Sequence, residues 1–539
     1  MPDSGGNSFA KGEWLASATL LAITLLIGLA TVRDYGITVD EFLFDDYGPK
    51  TLAWYASGGA DTSLYYHYDN WLYGPWFQML TASVQSLDLA DRFDVRHAVT
   101  FVVGIVGLAA LVPLGRIVVG PWAGFAALAL CLLTGNLYGH LFFTPNDVPF
   151  MAAMTWALLA VVAMAQREMP SWPATIAAGL LCGLAIATRV GGILAQVYLM
   201  AAMALLAMEI ALLRGRASIP TLGKIGLRVA AALALGWLLA IALWPFLQAD
   251  NPLQRFMAAY DHFGALKLEM TIPHWGHQIS TTDLPWSYIP GQLAARLPEA
   301  FIILLIAAPI FGLVQAARLV QQSRAGLSGL LLSVVRARGI LIVALAALAP
   351  IAFVIITRAS LYDGVRHILF TLPPLAVLAA WSLSRCFPLI RRFPVPFAAV
   401  AAAQIGAVLF VLVKLHPLEY IATNAFAGWT PGSYGRFELD YWSVAATPAL
   451  RRLEKQSLGE TAGNAAPRIT ICIPWRESMV APMFRRPWRA EPDPRNADFV
   501  IETERYRCAK DAGGTLIDQV MRFDKPFAWT LRQRVDKGH

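Results

Sequence analysis

Long apolar runs separated by short polar loops fill the first three quarters of the chain. Eleven stretches qualify: 14–32, 96–114, 121–137, 148–165, 172–188, 193–213, 229–247, 298–317, 340–357, 367–383 and 394–413. A helix needs about 20 apolar residues to cross the ~30 Å hydrocarbon core of a bilayer, so each stretch predicts a transmembrane helix. A twelfth apolar stretch, 71–87, is interrupted by Gly74-Pro75, which leaves 13 residues from 75 to 87. Trp76, Phe77, Leu80, Val84 and Leu87 fall on one helical face, and Gln78, Thr81 and Gln85 on the other. That pattern predicts a helix lying in the interface.

Charge decides the orientation. With 75–87 lying flat, the loops 1–13, 115–120, 166–171, 214–228, 318–339 and 384–393 share one side and hold fourteen basic residues against Asp3, Glu13 and Glu168. The positive-inside rule makes that side cytoplasmic. The outer loops are then 33–95, 138–147, 248–297 and 358–366, and the candidate site is expected to face the exterior. Lys11 precedes the first run and no small-residue cleavage site follows it, so this run is expected to be a retained helix.

From about Lys414 the composition turns soluble. The runs Arg468-Ile-Thr-Ile-Cys-Ile473 and Ala497-Asp-Phe-Val-Ile501 read as short strands. The predicted fold is mainly α: a polytopic module, 1–413, with about eleven transmembrane helices and interfacial helices in the first outer loop, followed by a small α/β outer domain, 414–539. Composition agrees, with 57% hydrophobic and 15% charged residues among 539 and a mean hydropathy of +0.52. Soluble domains carry about 25% charged residues. The net charge of +7 sits in loops rather than on an aromatic-interleaved basic face, which argues against nucleic acid as a partner. Cys131, Cys182 and Cys386 lie in or beside apolar spans as inert thiols, whereas Cys472 and Cys508 could pair in an oxidising compartment.

Candidate chemistry gathers on the outer side. Asp40-Glu41 follows the first span, with Asp45 and Asp46 close behind; ionised groups this near lipid are solvated, paired or employed. Thr144-Pro145-Asn146-Asp147-Val148-Pro149 places Asp147 at a helix start, where it can cap the helix or act chemically. Two acids from two loops suit the activation of a hydroxyl, one taking the proton and the other orienting the acceptor or a metal. Arg189, beside Gly191 and Gly192, can grip a phosphate or snorkel to headgroups. Arg366-His367 places positive charge on the outer side against the topology bias, facing a phosphate or Asp363. His140, Asn146 and Tyr362 are expected to line the substrate. His274 and His277 lack a third ligand at helical spacing, so no metal site is assigned, and a divalent metal stays open as a cofactor. Phosphate-cradling loops, dinucleotide glycine patterns and nucleophile elbows are missing from the sequence.

The Asp40-Glu41 pair, the Gly-Pro-aromatic start of the flat helix and the outer Pro-Asn-Asp-Val-Pro resemble the GT-C glycosyltransferases, in the branch of the protein O-mannosyltransferases and aminoarabinose transferases (glycosyltransferase family 39). Tyr362-Asp363-Gly364-Val365-Arg366-His367 and Gly435-Arg436-Phe437-Glu438-Leu439-Asp440-Tyr441-Trp442 resemble bacterial members with no settled substrate. The resemblance covers roughly 14–442. It implies an inverting transfer of a sugar from a polyprenyl-phosphate donor to an envelope lipid, glycan or protein, with membrane lipids around the enzyme. It implies that Asp40 is the catalytic acid residue of the first outer loop with Glu41 beside it, and that Asp147 is the second acidic position. Arg189 stands where relatives often carry Lys before Gly. Arg366 and His367 are read from the residues as donor-phosphate ligands. The rival reading is a transporter of an envelope precursor, with a non-catalytic scaffold as a third. Transporters place coupling charges near the bilayer midplane, often within inverted repeats; here Glu209 is the one acid clearly inside a span, near its inner end.

Overall fold

The structure, a computed structural model, describes residues 4–66, 68–322, 326–456, 466–473, 480–509 and 513–533. Each of the eleven apolar runs forms helix. Among the described residues, eight helical segments are long and apolar enough to cross a membrane, or nine if the bent pair Ala123–Leu132 and Gly135–Phe143, meeting at 73°, is one span. The difference from eleven has two physical sources. The continuous run Val190–Leu243 holds two helices, Ile193–Arg214 and Ile219–Leu243, joined by a 3-10 turn. Trp172–Ile186 has 15 residues, about 22 Å of helix at 1.5 Å per residue, and breaks before Arg189.

Burial grades from the centre outward. Asp147–Ala165 is 83% buried over its most apolar window, whereas Glu299–Gln321 is 6% buried and exposes its apolar side chains outward. Small residues allow the tightest crossings. Gly183 on Trp172–Ile186 lies so close to Ile219–Leu243 that a Cβ there would sit 2.5 Å from the Gly236 carbonyl oxygen, and one on Gly107 would sit 2.5 Å from the Ala152 Cβ.

The bundle has two chemically different ends. At one, Arg116 pairs with Glu13 at 2.5 Å, Arg338 pairs with Glu209 at 2.5 Å, and Arg338 donates to the Ala165 carbonyl at 2.6 Å. At the other end of that same central helix lies Asp147, with Asp40, Arg189 and Arg366 around it.

The flat helix of the first outer loop is Trp76–Gln85. Its polar positions are buried along with part of its apolar face: Gln78 and Thr81 are covered together with Phe77, while Leu80 is exposed. The polar face does structural work. Gln78 donates to the Pro145 carbonyl at 3.1 Å and accepts from Arg96 at 2.8 Å, tying this helix to the loop before Asp147.

The soluble end carries helix Ala446–Gln456 against a five-stranded sheet. Its order is Arg489–Ala490, Arg468–Ile471, Phe499–Thr503, Lys525–Arg532, Thr515–Arg522; the first three are parallel and the last two antiparallel additions. The two strands expected from sequence are its centre. Cys472 and Cys508 form a disulfide across a 5.5 Å Cα separation. One continuous apolar core joins this sheet, through Tyr420 and Trp442, to the bundle.

Gly74 decides how the flat helix meets the bundle. Its N–H donates to the Thr188 carbonyl at 3.2 Å, Trp76 Nε1 donates to the Thr188 hydroxyl at 2.6 Å, and a Cβ on Gly74 would lie 1.6 Å from the Ala187 carbonyl oxygen. That oxygen belongs to backbone and cannot step aside. Gly74→Ala is therefore expected to cost about 1–3 kcal/mol as an overpacking defect, read as a lower melting temperature in detergent. A melting temperature equal to the parent's would contradict this account of the junction.

Candidate active site

The first acid is placed by a capping box. Thr38 stands before helix Val39–Asp45; its hydroxyl accepts from the Glu41 N–H, and the Glu41 carboxylate accepts from the Thr38 N–H at 2.8 Å. Successive helical side chains diverge by about 100°, so the adjacent acids part. Glu41 turns inward, fully buried, with Oε1 2.9 Å from His97 Nε2. Asp40 turns the other way, stays one quarter exposed, and pairs with Arg366. Asp45 pairs with Arg92.

The second acid, Asp147, opens the central helix and pairs with Arg189. Asn146 accepts from Gln78 at 3.2 Å. The Arg189 guanidinium sits 5.6 Å from the Tyr73 ring centre and 6.0 Å from that of Phe150. Both Asp40 and Asp147 lie in the first turn of a helix, where the dipole favours negative charge, and each also has a guanidinium. Asp147 interacts electrostatically with Arg366 and Asp40 as well as Arg189, so the two pairs form one cluster.

Arg366 is held from several sides. Its Nε lies 3.1 Å from Asp363, and its guanidinium stands 5.0 Å from the Tyr362 ring and 5.5 Å from the Trp442 ring. Asp363 adopts φ +60°, followed by Gly364 at +68°; Asp and Gly tolerate this left-handed turn, which brings residue 363 back beside 366. Asp363 also accepts from Arg505 of the sheet domain at 2.6 Å, and its N–H donates to Glu438 at 3.1 Å. Arg296 donates to the Glu438 carbonyl at 2.6 Å. Four carboxylates (Asp40, Asp147, Asp363, Glu438) and four guanidiniums (Arg189, Arg366, Arg505, Arg296) thus gather here, Arg296 meeting the Glu438 backbone carbonyl rather than a carboxylate oxygen. Burial, and then Asp363 beside it, pushes the Glu438 carboxyl up to about 7. Burial opposes the charge on Arg505, but Asp363 and Glu438 more than offset that and hold it above the ordinary guanidinium value. Burial raises the Tyr73 hydroxyl, against the pull of Arg189.

Of the residues expected from sequence, Asp40, Asp147, Arg189, Arg366 and Tyr362 meet here. His367 borders the cluster, its ring edge-on to Tyr362 at 4.9 Å. Asn146 buttresses Asp147. Glu41 and His140 do not join: Glu41 is engaged by its cap and His97, and His140 is buried with Nε2 3.0 Å from the Tyr441 hydroxyl. Sequence reasoning missed Arg505, Glu438, Arg296 and Tyr73 as members. Tyr73 directly precedes Gly74-Pro75, a usable signal; Glu504-Arg505-Tyr506 carries none.

No group of three or more His, Cys, Asp or Glu side chains placed to hold a metal occurs among the described residues. His274 is buried and His277 exposed on adjacent strands of a hairpin, and both cluster aspartates are already engaged by guanidiniums. Among the described residues, these side chains do not make a metal donor set.

No family model matches the chain, and no curated protein matches it. Among solved structures, ArnT from Cupriavidus metallidurans bound to undecaprenyl phosphate is similar at 13% identity and a TM-score of 0.44, over 97% of this chain and 98% of that one. The same protein in the apo state gives 13% identity and 0.46 over the same shares. The archaeal oligosaccharyltransferase AglB from Archaeoglobus fulgidus, in complex with an inhibitory peptide and a dolichol-phosphate, gives 12% and 0.46 over 90% of this chain and 69% of that one.

A titration follows from Glu438. Its ordinary value is 4.5 and the folded protein holds it at about 7, so folding favours the protonated form. The stability this contributes is full below about 4.5 and is lost as pH rises from there through about 7. The melting temperature is expected to fall between pH 5 and 8, and Glu438→Gln to flatten that part of the curve. An unchanged slope in the variant would assign the titration elsewhere.

Proposed function

We propose that this protein is a multi-pass membrane glycosyltransferase that moves a sugar from a polyprenyl-phosphate carrier to a hydroxyl of an envelope lipid, glycan or protein. The site faces the outer side of a bacterial cytoplasmic membrane. The observation that carries this reading is the buried cluster in which Asp40–Arg366 and Asp147–Arg189, from four separate segments, interact at one end of the bundle. A transfer from a phosphate-linked sugar asks for a base for the acceptor and cations for the leaving phosphate, and both are side by side here.

The carrier's chain lies among the apolar helix faces, and its phosphate replaces Asp40 as the anion on Arg366, with Arg189 as a second cation. Arg366, seated between Tyr362 and Trp442 and anchored by Asp363, keeps its position as it changes partner. Asp40, released, accepts the acceptor's proton. The acceptor oxygen attacks the anomeric carbon from the side opposite the phosphate and forms the new glycosidic bond. The carbon–phosphate-oxygen bond breaks, its electron pair leaves with the lipid phosphate, and the guanidiniums stabilise that charge. The configuration inverts. Asp147, fixed in the first turn of its helix, orients Arg189. Glu41 acts indirectly, through the box that sets the direction of Asp40.

The opposite end of the bundle also favours this reading over a transporter. Glu209 there is neutralised by Arg338 at 2.5 Å and Arg336 at 3.3 Å, so it is not a free coupling charge.

Purified protein in nanodiscs with radiolabelled polyprenyl-phosphate sugar tests the proposal. Asp40→Asn, which removes the base but keeps the shape, is expected to lower the transfer rate by about 10²–10⁴-fold with melting temperature largely retained. Arg366→Ala is expected to weaken polyprenyl-phosphate binding by about tenfold or more, the loss of a charge-assisted hydrogen bond. Parental turnover by Asp40→Asn removes Asp40 from the mechanism; parental carrier affinity in Arg366→Ala removes Arg366 from the phosphate site.

A further inference from the structure

The sheet domain reaches into the cluster through one side chain. Arg505 Nη1 lies 2.6 Å from Asp363 Oδ1, 3.0 Å from the Tyr441 carbonyl and 3.6 Å from Glu438, and its Nη2 lies 3.1 Å from Met270 Sδ. The other oxygen of Asp363 faces Arg366 Nε at 3.1 Å. A single line of alternating charge therefore runs Arg505, Asp363, Arg366, Asp40. Its first member, Arg505, comes from a domain with no carrier-binding motif of its own.

The presentation of Arg505 is rigid. It follows strand Phe499–Thr503 in a turn closed by the Thr503 N–H donating to the Tyr506 carbonyl at 3.0 Å. The Thr503 hydroxyl is 2.8 Å from that of Ser443, and three residues beyond Arg505 the Cys508–Cys472 disulfide ties the turn to the neighbouring strand. Asp363, by contrast, sits in a non-helical loop between two spans, in a left-handed conformation. Without Arg505, that carboxylate would keep Arg366 as its one guanidinium. The loop that aims Arg366 would then keep the burial of Leu361 and Val365 and the Glu438 contact, but its acidic side chain would be held by Arg366 alone.

We infer that Arg505 is a positioning residue: the C-terminal domain uses it to hold Asp363, and thereby holds Arg366 in place when Arg366 exchanges Asp40 for the carrier phosphate. This rests on the proposed carrier reading and deepens it. The sheet domain is then part of the active site rather than an appended module, and the domain must be docked for the carrier to bind tightly. Since Arg505 acts through Asp363, its effect falls on carrier affinity before it falls on the chemical step.

Full-length protein in nanodiscs tests this with bare polyprenyl phosphate and with hydrogen exchange followed by mass spectrometry. Arg505→Ala is expected to weaken polyprenyl-phosphate binding at least tenfold, as displacement of a binding group by an ångström does, and to speed amide exchange over 361–367. Arg505→Lys, which keeps the charge but not the fork, is expected to recover part of both. Arg505→Ala added to Arg366→Ala is expected to weaken binding no further, since the two act as a unit. Tyr434→Phe is the control for a general loosening of that domain: it removes a 2.7 Å bond within it, from the Tyr434 hydroxyl to the Pro526 carbonyl, and should leave both readouts unchanged. Parental affinity and parental exchange in Arg505→Ala overturn the inference, as does a Tyr434→Phe variant that reproduces both losses. Faster exchange over 361–367 in a protein whose parent binds no polyprenyl phosphate would keep the Arg505–Asp363 coupling and remove the carrier.

Discussion

Burying ionised side chains is the constraint that shapes this molecule. A carboxylate or guanidinium taken out of water costs several kcal/mol unless an opposite charge and hydrogen bonds meet it. Here four of each gather at one end of the helical bundle. Their tolerance depends on segments far apart in sequence arriving together: the turn after the first span, the start of the central helix, the break at Arg189, the loop before 366, and the sheet domain. Misplacing any one leaves a partner unpaired, so the cluster fixes the mutual position of its carriers as firmly as the apolar core does.

The same balance gives the cluster its chemistry. With Arg189, Arg366 and Arg505 each on an aspartate, an incoming phosphate has to compete with a resident carboxylate for a guanidinium. Asp40 is the resident best suited to yield, because it is one quarter exposed while Asp363 and Asp147 are nearly covered. In the proposed reaction, donor arrival and base release are a single exchange of partners on Arg366. The aromatic rings of Tyr362 and Trp442 on that guanidinium keep it oriented through the exchange. A base masked until the donor is bound would also limit hydrolysis of an unaccompanied carrier.

The hydrophobic pattern carried most of the helical architecture. Every long apolar run became helix. What the pattern could not convey was where helices bend or fall short: Leu133 and Thr134 break 121–137 although both sides are apolar, and 172–188 ends early to form the Arg189 turn. The flat helix was legible as amphipathic, but which face it buries depends on Arg96 and Pro145, neither of them near it in sequence. For the site, acids and arginines beside span ends could be picked out because charge near lipid demands a reason. Glu41 looked the equal of Asp40, since adjacency in sequence conceals the divergence of neighbouring side chains on a helix. Arg505 was invisible because an arginine in a soluble domain demands no explanation until its partner across 142 residues of sequence is known.

The central claim is that Arg366 trades Asp40 for the phosphate of a polyprenyl carrier. An experimental structure of the protein in nanodiscs with polyprenyl phosphate bound tests it most directly. The account predicts phosphate density on the Arg366 guanidinium, within reach of Arg189, with the Asp40 carboxylate moved off Arg366 and facing open space. Phosphate bound elsewhere, with the Asp40–Arg366 pair intact, would contradict it.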